Sequence, residues 1–188
     1  HKYMLNLTLS NTHDILAWAV PGMFIADNTT LEGSISEKGR LTATLTSQRI
    51  AHQKQYLKDI KLKVNNNKSA INGKLTGSEA KVATIKFMDN EVEFLAEDNH
   101  IGVSYKYEND TDLANKGEFV AHLDFSRDGN DLNIDGNLMP STLYLNAKEW
   151  KIDSSYVNIW KDGIKSANAR FTSNNQEIHI HGGTSLTK

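Results

Sequence analysis

The sequence contains no cysteine, so neither a disulfide nor a thiolate contributes to its structure or chemistry. This absence leaves open whether the protein works in a reducing or an oxidising compartment. No apolar run approaches the ~18 to 20 residues that a membrane-spanning helix needs. The first ten residues also lack the pattern of a secretory signal peptide. Because the chain instead opens inside an alternating strand, we predict that it is a segment of a longer protein.

Charge of one sign is not in excess either, since 21 basic and 23 acidic residues leave a net charge of -2. The basic residues are spread along the chain rather than clustered, so the sequence does not predict a nucleic-acid partner. Aromatic residues make up only 8% and apolar residues 38%. This composition is sufficient for folding but predicts a thin core.

Catalytic motifs are lacking as well. The sequence has no P-loop, no nucleophile elbow, no zinc-protease helix motif and no dinucleotide-binding glycine motif. Its carboxylates fall mainly in polar clusters, without a recognisable acid and base pair. The sequence therefore predicts a protein that is not an enzyme and that needs no cofactor.

What the sequence does contain is a two-residue alternation of apolar and polar side chains along almost its whole length. Clusters of Asn, Asp and Gly, such as residues 65–69, 89–91 and 127–131, separate the alternating segments and suit tight turns. The pattern predicts an all-β fold. We expect an antiparallel meander of strands ~6 to 9 residues long, with one apolar and one polar face.

The predicted apolar face contains the residues that alternate with polar neighbours in these strands. They are Ile35, Leu41, Leu45, Ile60, Leu62, Val64, Ile71, Leu75, Val92, Phe94, Ile101, Val103, Phe119, Leu123, Phe125, Leu132, Ile134, Leu138, Leu143, Leu145, Val157, Ile159, Ile178 and Ile180.

Three glycines lie on the same face. Gly33, Gly73 and Gly136 each have an aliphatic residue two positions before and two positions after them, in the phrases LEGSI, INGKL and IDGNL. A missing side chain lets a sheet bend or lets another group approach closely. The three copies predict a sheet that is strongly curved.

One segment departs from the alternation. Apolar residues recur at helical spacing between positions 15 and 20, and Pro21-Gly22 then ends the pattern. This predicts a short amphipathic helix at about residues 12–20, lying against the sheet, with Trp18 as a packing residue.

Two motifs raise the question of a metal site. His179 and His181 share one face of a strand, but the other histidines show no companion spacing that would supply a third ligand. Asp131 to Gly136 matches the first half of a calcium loop, but Thr142 stands where the closing glutamate is needed. The sequence therefore predicts no metal site, and it places both histidines on the polar face of their strand.

The chain resembles a known family from Trp150 onward. The resemblance lies in Trp150-x-Ile152, in the alternating residues of 155–159, in Gly163-Ile164, and in the alternating residues of 176–182. The earlier residues 6–23, followed by 31–45, are similar to the unit of the same family in which a short helix follows a strand and precedes a glycine-bearing strand. On these motifs the chain resembles the repeat region of the TamB/AsmA-like proteins, in particular the TamB-like proteins of Bacteroidota. Ala167 and Ala169 depart from the larger aliphatic residues that are common in the family.

The resemblance implies a long β-sheet folded lengthwise into a U-shaped groove, the β-taco, with an apolar interior. It implies a periplasmic protein that is anchored in the inner membrane by a segment absent from this sequence. Such proteins carry phospholipid acyl chains between the inner and outer membranes, and they act with an outer-membrane barrel of the Omp85 type, similar to TamA. The resemblance further implies that the apolar face named above lines the groove, with Gly33, Gly73 and Gly136 providing curvature.

A closed β-sandwich is the alternative, because the same alternation also fills a dry core. In that case the protein would be a binding module of the adhesin or carbohydrate-binding type. A slice through a continuous sheet, in contrast, leaves unpaired edge strands, so the groove reading also predicts that the segment associates with itself through its edges.

Overall fold

The computed structural model describes residues 2–12, 16, 18–67, 69–109, 115–160 and 163–183. Fifteen strands run through these residues: β1 (Lys2–Leu9), β2 (Met23–Ile25), β3 (Thr29–Ser36), β4 (Leu41–His52), β5 (Gln55–Asn67), β6 (Ala70–Val82), β7 (Ile85–Glu97), β8 (His100–Asn109), β9 (Asn115–Asp128), β10 (Asp131–Leu138), β11 (Ser141–Leu145), β12 (Lys148–Ile152), β13 (Ser155–Trp160), β14 (Gly163–Ser173) and β15 (Gln176–Gly182). The prediction of an all-β fold is confirmed.

All fifteen strands belong to one antiparallel sheet, in which most strands lie beside their neighbours in sequence. The strands are longer than expected, since β5, β6 and β7 have 13 residues each and β9 has 14. The predicted turn at residues 89–91 is wrong, because these residues lie inside β7. Polar residues in the middle of a long strand resemble the end of a shorter one in the sequence pattern.

The chain divides into two compact units. Unit 1 comprises His1–Glu93 and Tyr107–Asn109, and unit 2 comprises Phe94–Lys106 and Asp110–Lys188. In unit 1, β2 and β3 pair with successive stretches of β4, so they form one hairpin arm that is interrupted at residues 26–28. In unit 2, β10 and β11 likewise both pair with β9 and are separated at residues 139–140.

The strands of unit 1 carry irregular residues near their middles. Asp59 in β5 and Asp89 in β7 have positive φ angles of 48° and 45°, which are uncommon for a residue with a side chain. The β5–β6 ladder reaches Lys61 opposite Thr76 and resumes only at Lys58 opposite Glu79. The register is the same on both sides of this gap, so no residue is inserted, and the pairing is interrupted where Asp59 has its positive φ angle. Each long arm of unit 1 is therefore divided into two regular halves.

Unit 2 shows the same division. β12 pairs with β11 and β13 pairs with β10, so the hairpin of β10–β11 with β12–β13 keeps one register across the break at residues 153–154. Asn146 and Ala147, with φ angles of 52° and 58°, form its two-residue turn, which matches the twist of antiparallel strands.

Few apolar side chains are fully buried, and several of these lie beside the interruptions. In unit 1, Ile60 follows Asp59 directly and is 4% exposed, while Tyr107 is 2% exposed and packs edge-to-face against Phe87 at 4.8 Å between ring centroids. In unit 2, Ile152 precedes the break at residues 153–154 and is 2% exposed. Most other apolar residues of the strands remain half-buried. The described residues therefore form a thin core, as the composition predicts.

The predicted helix falls largely outside the described residues, since positions 13–15 and 17 are not among them. Two backbone hydrogen bonds of helical spacing flank them, from Leu16 N to Thr12 O and from Val20 N to Leu16 O. The helix thus stays a prediction. The expectation that Trp18 packs is wrong, because this side chain is 86% exposed.

Candidate functional site

A row of leucines crosses five strands of unit 1. The ladders place Leu7 opposite Leu31 and Leu31 opposite Leu45. Leu45 in turn lies opposite Leu62, and Leu62 opposite Leu75. Residues that are directly opposite in neighbouring strands point to the same face of a sheet. The five leucines therefore form one continuous apolar ridge, perpendicular to the strands.

A row of smaller side chains runs beside this ridge. Gly33 lies opposite Ala43, Ala43 opposite Val64, and Val64 opposite Gly73. On the far side of this row, Ile35 lies opposite Leu41, which restores bulky side chains. We call the row Gly33, Ala43, Val64 and Gly73 the trough floor, and its bulky neighbours the trough walls.

The trough is open above Gly33 and Ala43, whereas Gly73 at the other end of its floor is buried. A cavity of about 220 Å³ lies over the open end, lined mainly by Tyr3, Leu5, Leu31, Ile35 and Leu41 together with floor residues. A Cβ atom added to Gly33 would meet nothing nearer than the Thr42 carbonyl oxygen at 3.5 Å, which is ordinary van der Waals contact. Gly33 therefore leaves space that a side chain could occupy, and no described residue of unit 1 fills it.

Unit 2 also contains a row of small residues, but in this unit side chains occupy the space above the glycine. Leu123, Gly136, Val157, Ala167 and Gly182 lie opposite one another in successive strands. A Cβ atom on Gly136 would lie 2.9 Å from Val157 Cγ1 and 3.2 Å from Leu123 Cδ2. At this point the neighbouring side chains already occupy the space that the glycine leaves.

A bulky row flanks this filled row of unit 2 on one side, and a second bulky row lies four residues away along β14 and β15 on the other. Phe125, Ile134 and Ile159 lie opposite one another, and Ile152, Phe171 and Ile178 form another such set. Tyr105 stacks on Phe119 with ring centroids 6.0 Å apart, which places alternate residues of β8, including Val103 and Ile101, on this same face.

The predicted apolar-face residues differ in their exposure. Ile60 and Leu143 are buried, at 4% each. The large side chains that are exposed are Ile35, Ile71, Leu132, Ile159, Ile178 and Ile180, which range from 36% to 57%. The remaining predicted residues are half-buried. Within each unit, the ladders place the predicted residues that they cover on one face, and most of these side chains keep contact with solvent.

The two histidines of β15 lie on the other face. Ile178 lies opposite Phe171, whereas His179 lies opposite Arg170 and His181 opposite Asn168. His179 Nε2 is 2.8 Å from Asn168 Oδ1, and the two imidazole rings are 4.8 Å apart. In the part of the chain that the structure describes, no group of three His, Cys, Asp or Glu side chains is arranged to hold a metal ion. Asp131 to Gly136 pairs along β9 as a strand rather than a loop.

Sequence reasoning missed Gly77. A Cβ atom at this position would lie 2.7 Å from Leu57 Cδ1 and 3.1 Å from the Lys58 carbonyl oxygen. Asn90 Nδ2 also donates to the Gly77 carbonyl at 3.3 Å. The sequence does place Gly77 on the apolar face, because it continues the alternation of Gly73 and Leu75. Its sequence neighbours are polar, so it lacks the flanking aliphatic residues that mark the other three glycines.

Sequence reasoning also missed a charged cluster centred on Glu79. Lys58 Nζ lies 3.2 Å from Glu79 Oε2, and Lys86 Nζ lies 3.2 Å from Glu79 Oε1. The Tyr56 hydroxyl donates a hydrogen bond to Glu79 Oε1. This bond, together with the two ammonium groups, lowers the pKa of Glu79 from 4.5 to about 2. The residues come from three strands and have no spacing in the sequence that would reveal the cluster.

Comparison of the chain with protein-family models, with curated proteins and with solved structures finds no match in any of the three. No helix in the described ranges is long and apolar enough to cross a membrane.

Proposed function

We propose that this chain is a segment of a bridge-like protein whose apolar groove carries phospholipid acyl chains between two membranes. The observation that supports this most directly is the trough of unit 1. Its small-residue floor lies between bulky walls, and its cavity is open. An exposed apolar surface of this kind is typical of a binding site.

The energetics of transfer supply a mechanism. Moving an acyl chain from water to an apolar surface is favourable by ~0.8 kcal/mol per CH₂ group. A row of apolar side chains that crosses successive strands offers equivalent contacts every ~4.8 Å, the distance between neighbouring strands. A chain lying along the trough would therefore exchange one contact for the next as it moves, and no covalent step or cofactor is required.

In β3, β4 and β6 the wall rows lie four residues apart, which corresponds to ~13 Å between their backbones. In β5 the second wall has Asn66, whose Oδ1 accepts a hydrogen bond from Leu41 N. The floor residue in the middle decides how deep an acyl chain lies. Where that residue is Gly33 or Ala43, the chain would contact the backbone of the sheet directly. In this proposal the interruptions within the long strands of unit 1 are the places at which the sheet would fold along its length, as a U-shaped groove requires.

The sequence resemblance to the TamB/AsmA-like proteins extends the proposal to the cell envelope. The protein would work in the periplasm in support of outer-membrane biogenesis. Its inner-membrane anchor and its contact with an outer-membrane barrel of the Omp85 type would belong to other parts of the full-length chain.

A closed sandwich acting as a binding module is the second candidate, and one observation favours it. The tight packing of Val157 and Leu123 over Gly136 is what a dry core would show. Against it, Ile159, Ile178 and Ile180 of the same unit are between 36% and 57% exposed. A packed core would bury side chains of this size.

Site-specific photo-crosslinking separates the two candidates. A benzophenone amino acid would replace Leu62 in the trough wall and, as the matched control, Lys63 on the opposite face of the same strand. We expect phospholipid adducts by mass spectrometry at position 62 and none at position 63. If position 62 forms only intramolecular crosslinks, or if both positions give the same lipid adducts, the groove is not the lipid site and the proposal fails.

A further inference from the structure

A second feature of unit 1 lies outside the trough, in residues 49–58 and 79–86 of β4 to β7. Arg49, Tyr56, Lys58, Glu79 and Lys86 come together there, and we call this group the Arg49 cluster. None of these residues belongs to the trough, which is built from Tyr3, Leu5, Leu7 and residues within 31–45 and 62–75. The cluster therefore needs an explanation of its own.

The cluster carries more positive charge than its own carboxylate neutralises. Three cations, Arg49, Lys58 and Lys86, surround one anion, Glu79. Both oxygens of Glu79 are engaged, by the Tyr56 hydroxyl and by the two lysine ammonium groups. Because each ammonium group has three N–H donors, the contact with Glu79 leaves further donors on Lys58 and Lys86. A local excess of two positive charges remains.

Arg49 is held in place by rings rather than by a carboxylate. Its guanidinium carbon lies 4.8 Å from the centroid of the Tyr56 ring and 5.9 Å from that of Phe24. Among the described residues, no acidic side chain lies within ion-pair distance of it. Stacking on aromatic faces orders a guanidinium while leaving its N–H edge free. That edge is the group that binds phosphate in a bidentate manner.

We propose that the Arg49 cluster binds a phosphate group, either free or carried by a lipid headgroup. Phosphate fits the cluster better than a carboxylate does, because its oxygens can accept bonds from the guanidinium and from the two ammonium groups together. The role of Glu79 is to hold Lys58 and Lys86 at one point, which orders them before the anion arrives. The proposal does not depend on lipid transport, since the cluster and the trough share no residue.

The test measures anion binding to the intact chain in two arms. In the first arm, inorganic phosphate is titrated into ¹⁵N-labelled protein at constant ionic strength. The backbone amide resonances of Tyr56, Lys58 and Lys86 are followed by NMR in every chain, together with the Arg49 Nε–H resonance where Arg49 is present. In the second arm, vesicles of phosphatidylglycerol and phosphatidylcholine are compared with vesicles of phosphatidylcholine alone by co-sedimentation. Both arms use the native chain, Arg49→Gln, and the control Lys63→Gln.

Arg49→Gln removes one charge from the cluster, and Lys63→Gln removes the same charge from an exposed position in another part of β5. We expect a saturable shift of the Arg49 resonance with phosphate and an affinity about tenfold lower in Arg49→Gln, because one charge-assisted bond is lost. Lys63→Gln should bind like the native chain. Binding to phosphatidylglycerol vesicles that also requires Arg49 would identify the lipid headgroup as the source, whereas a response to inorganic phosphate alone would identify the free anion.

Two outcomes overturn the proposal. One is a linear, unsaturable response to phosphate without vesicle binding that depends on Arg49. The other is an equal loss of binding in Arg49→Gln and Lys63→Gln, which would show that only the overall charge of the protein matters. Circular dichroism of both variants excludes a loss of fold as the cause.

Discussion

The Cγ1 methyl group of Val157 occupies the space that a side chain at Gly136 would need, only 2.9 Å from where its Cβ atom would lie. Gly33 holds the equivalent place in the row pattern of unit 1, and its nearest neighbour would be 3.5 Å away. The two glycines have similar sequence surroundings but different packing, and this difference is directly testable.

We expect Gly136→Ala to lower the free energy of unfolding by about 1 to 3 kcal/mol, because overpacking forces the neighbouring side chains to move. Gly33→Ala should leave the free energy of unfolding unchanged or raise it by about 0.5 to 1 kcal/mol. Alanine lowers the conformational entropy of the unfolded chain, and at this position it disturbs no contact in the folded protein. Urea unfolding of both variants measures the difference. Equal destabilisation by the two substitutions would show that the space over Gly33 is not open.

These two glycines also show how far the sequence predicts the structure. The alternation placed Leu31, Leu45 and Leu62 on one face, and the ladders bring them into one row. The phrases LEGSI and IDGNL look alike in sequence, yet their packing differs, because it depends on which side chain of the neighbouring strand leans over the glycine. That neighbour is separated by about ten to twenty residues and is fixed only by strand register.

The Arg49 cluster marks the other limit. The ion pair of Lys58 with Glu79 depends on β5 and β6 pairing in a particular register beyond the irregular Asp59. Sequence periodicity carries no signal for such a contact, since each charged residue by itself is typical of an exposed strand face. Apolar alternation in the sequence predicts the trough. The cluster depends on the strand register, which the sequence pattern of its charged residues does not reveal.

The histidines of β15 are predicted to have no role in metal binding. His179→Ala with His181→Ala should leave the circular dichroism spectrum and lipid crosslinking unchanged, because both side chains lie on the face opposite to Ile178 and Ile180. Inductively coupled plasma mass spectrometry of untreated protein measures bound zinc. Stoichiometric zinc that disappears in the double variant would contradict this prediction.

Glu79 should make stability depend on pH. The folded protein holds the pKa of Glu79 at about 2, below the ordinary value of 4.5, chiefly through the Tyr56 hydroxyl. A group with a lowered folded pKa stabilises the protein above its unfolded pKa, and this contribution is lost as the pH falls through the folded pKa. The loss should therefore occur between pH 4.5 and pH 2.

The measurement compares unfolding free energies of the native chain and Glu79→Gln across that range, with Glu32→Gln as a control on an exposed position of β3. We expect Glu79→Gln to be less stable than the native chain at pH 7 and the difference to shrink as the pH approaches 2. The control should follow the native curve. A Glu79→Gln difference that stays constant from pH 7 to pH 2 would exclude the carboxylate's charge as the cause.

The last prediction separates an open groove from a closed core through the cost of a buried charge. Leu62→Asp places a carboxylate in the trough wall, and Val157→Asp places one over Gly136. In a closed, dry sandwich an unpaired carboxylate would cost several kcal/mol, a large part of a typical stability of ~5 to 15 kcal/mol. In an open groove the carboxylate reaches water, so the loss should be about 1 to 2 kcal/mol.

We therefore expect both variants to remain folded by circular dichroism and to lose lipid crosslinking from a benzophenone in the same unit, because a charge interrupts the path of the acyl chain. The benzophenone is placed at Leu45 for Leu62→Asp and at Ile134 for Val157→Asp. The matched control is Asn65→Asp, which introduces the same charge on the exposed opposite face of β5 with almost no change in shape. It should retain both fold and crosslinking. If Leu62→Asp and Val157→Asp unfold cooperatively at room temperature while Asn65→Asp does not, the apolar face is a closed core and the protein is a sandwich module rather than a lipid groove.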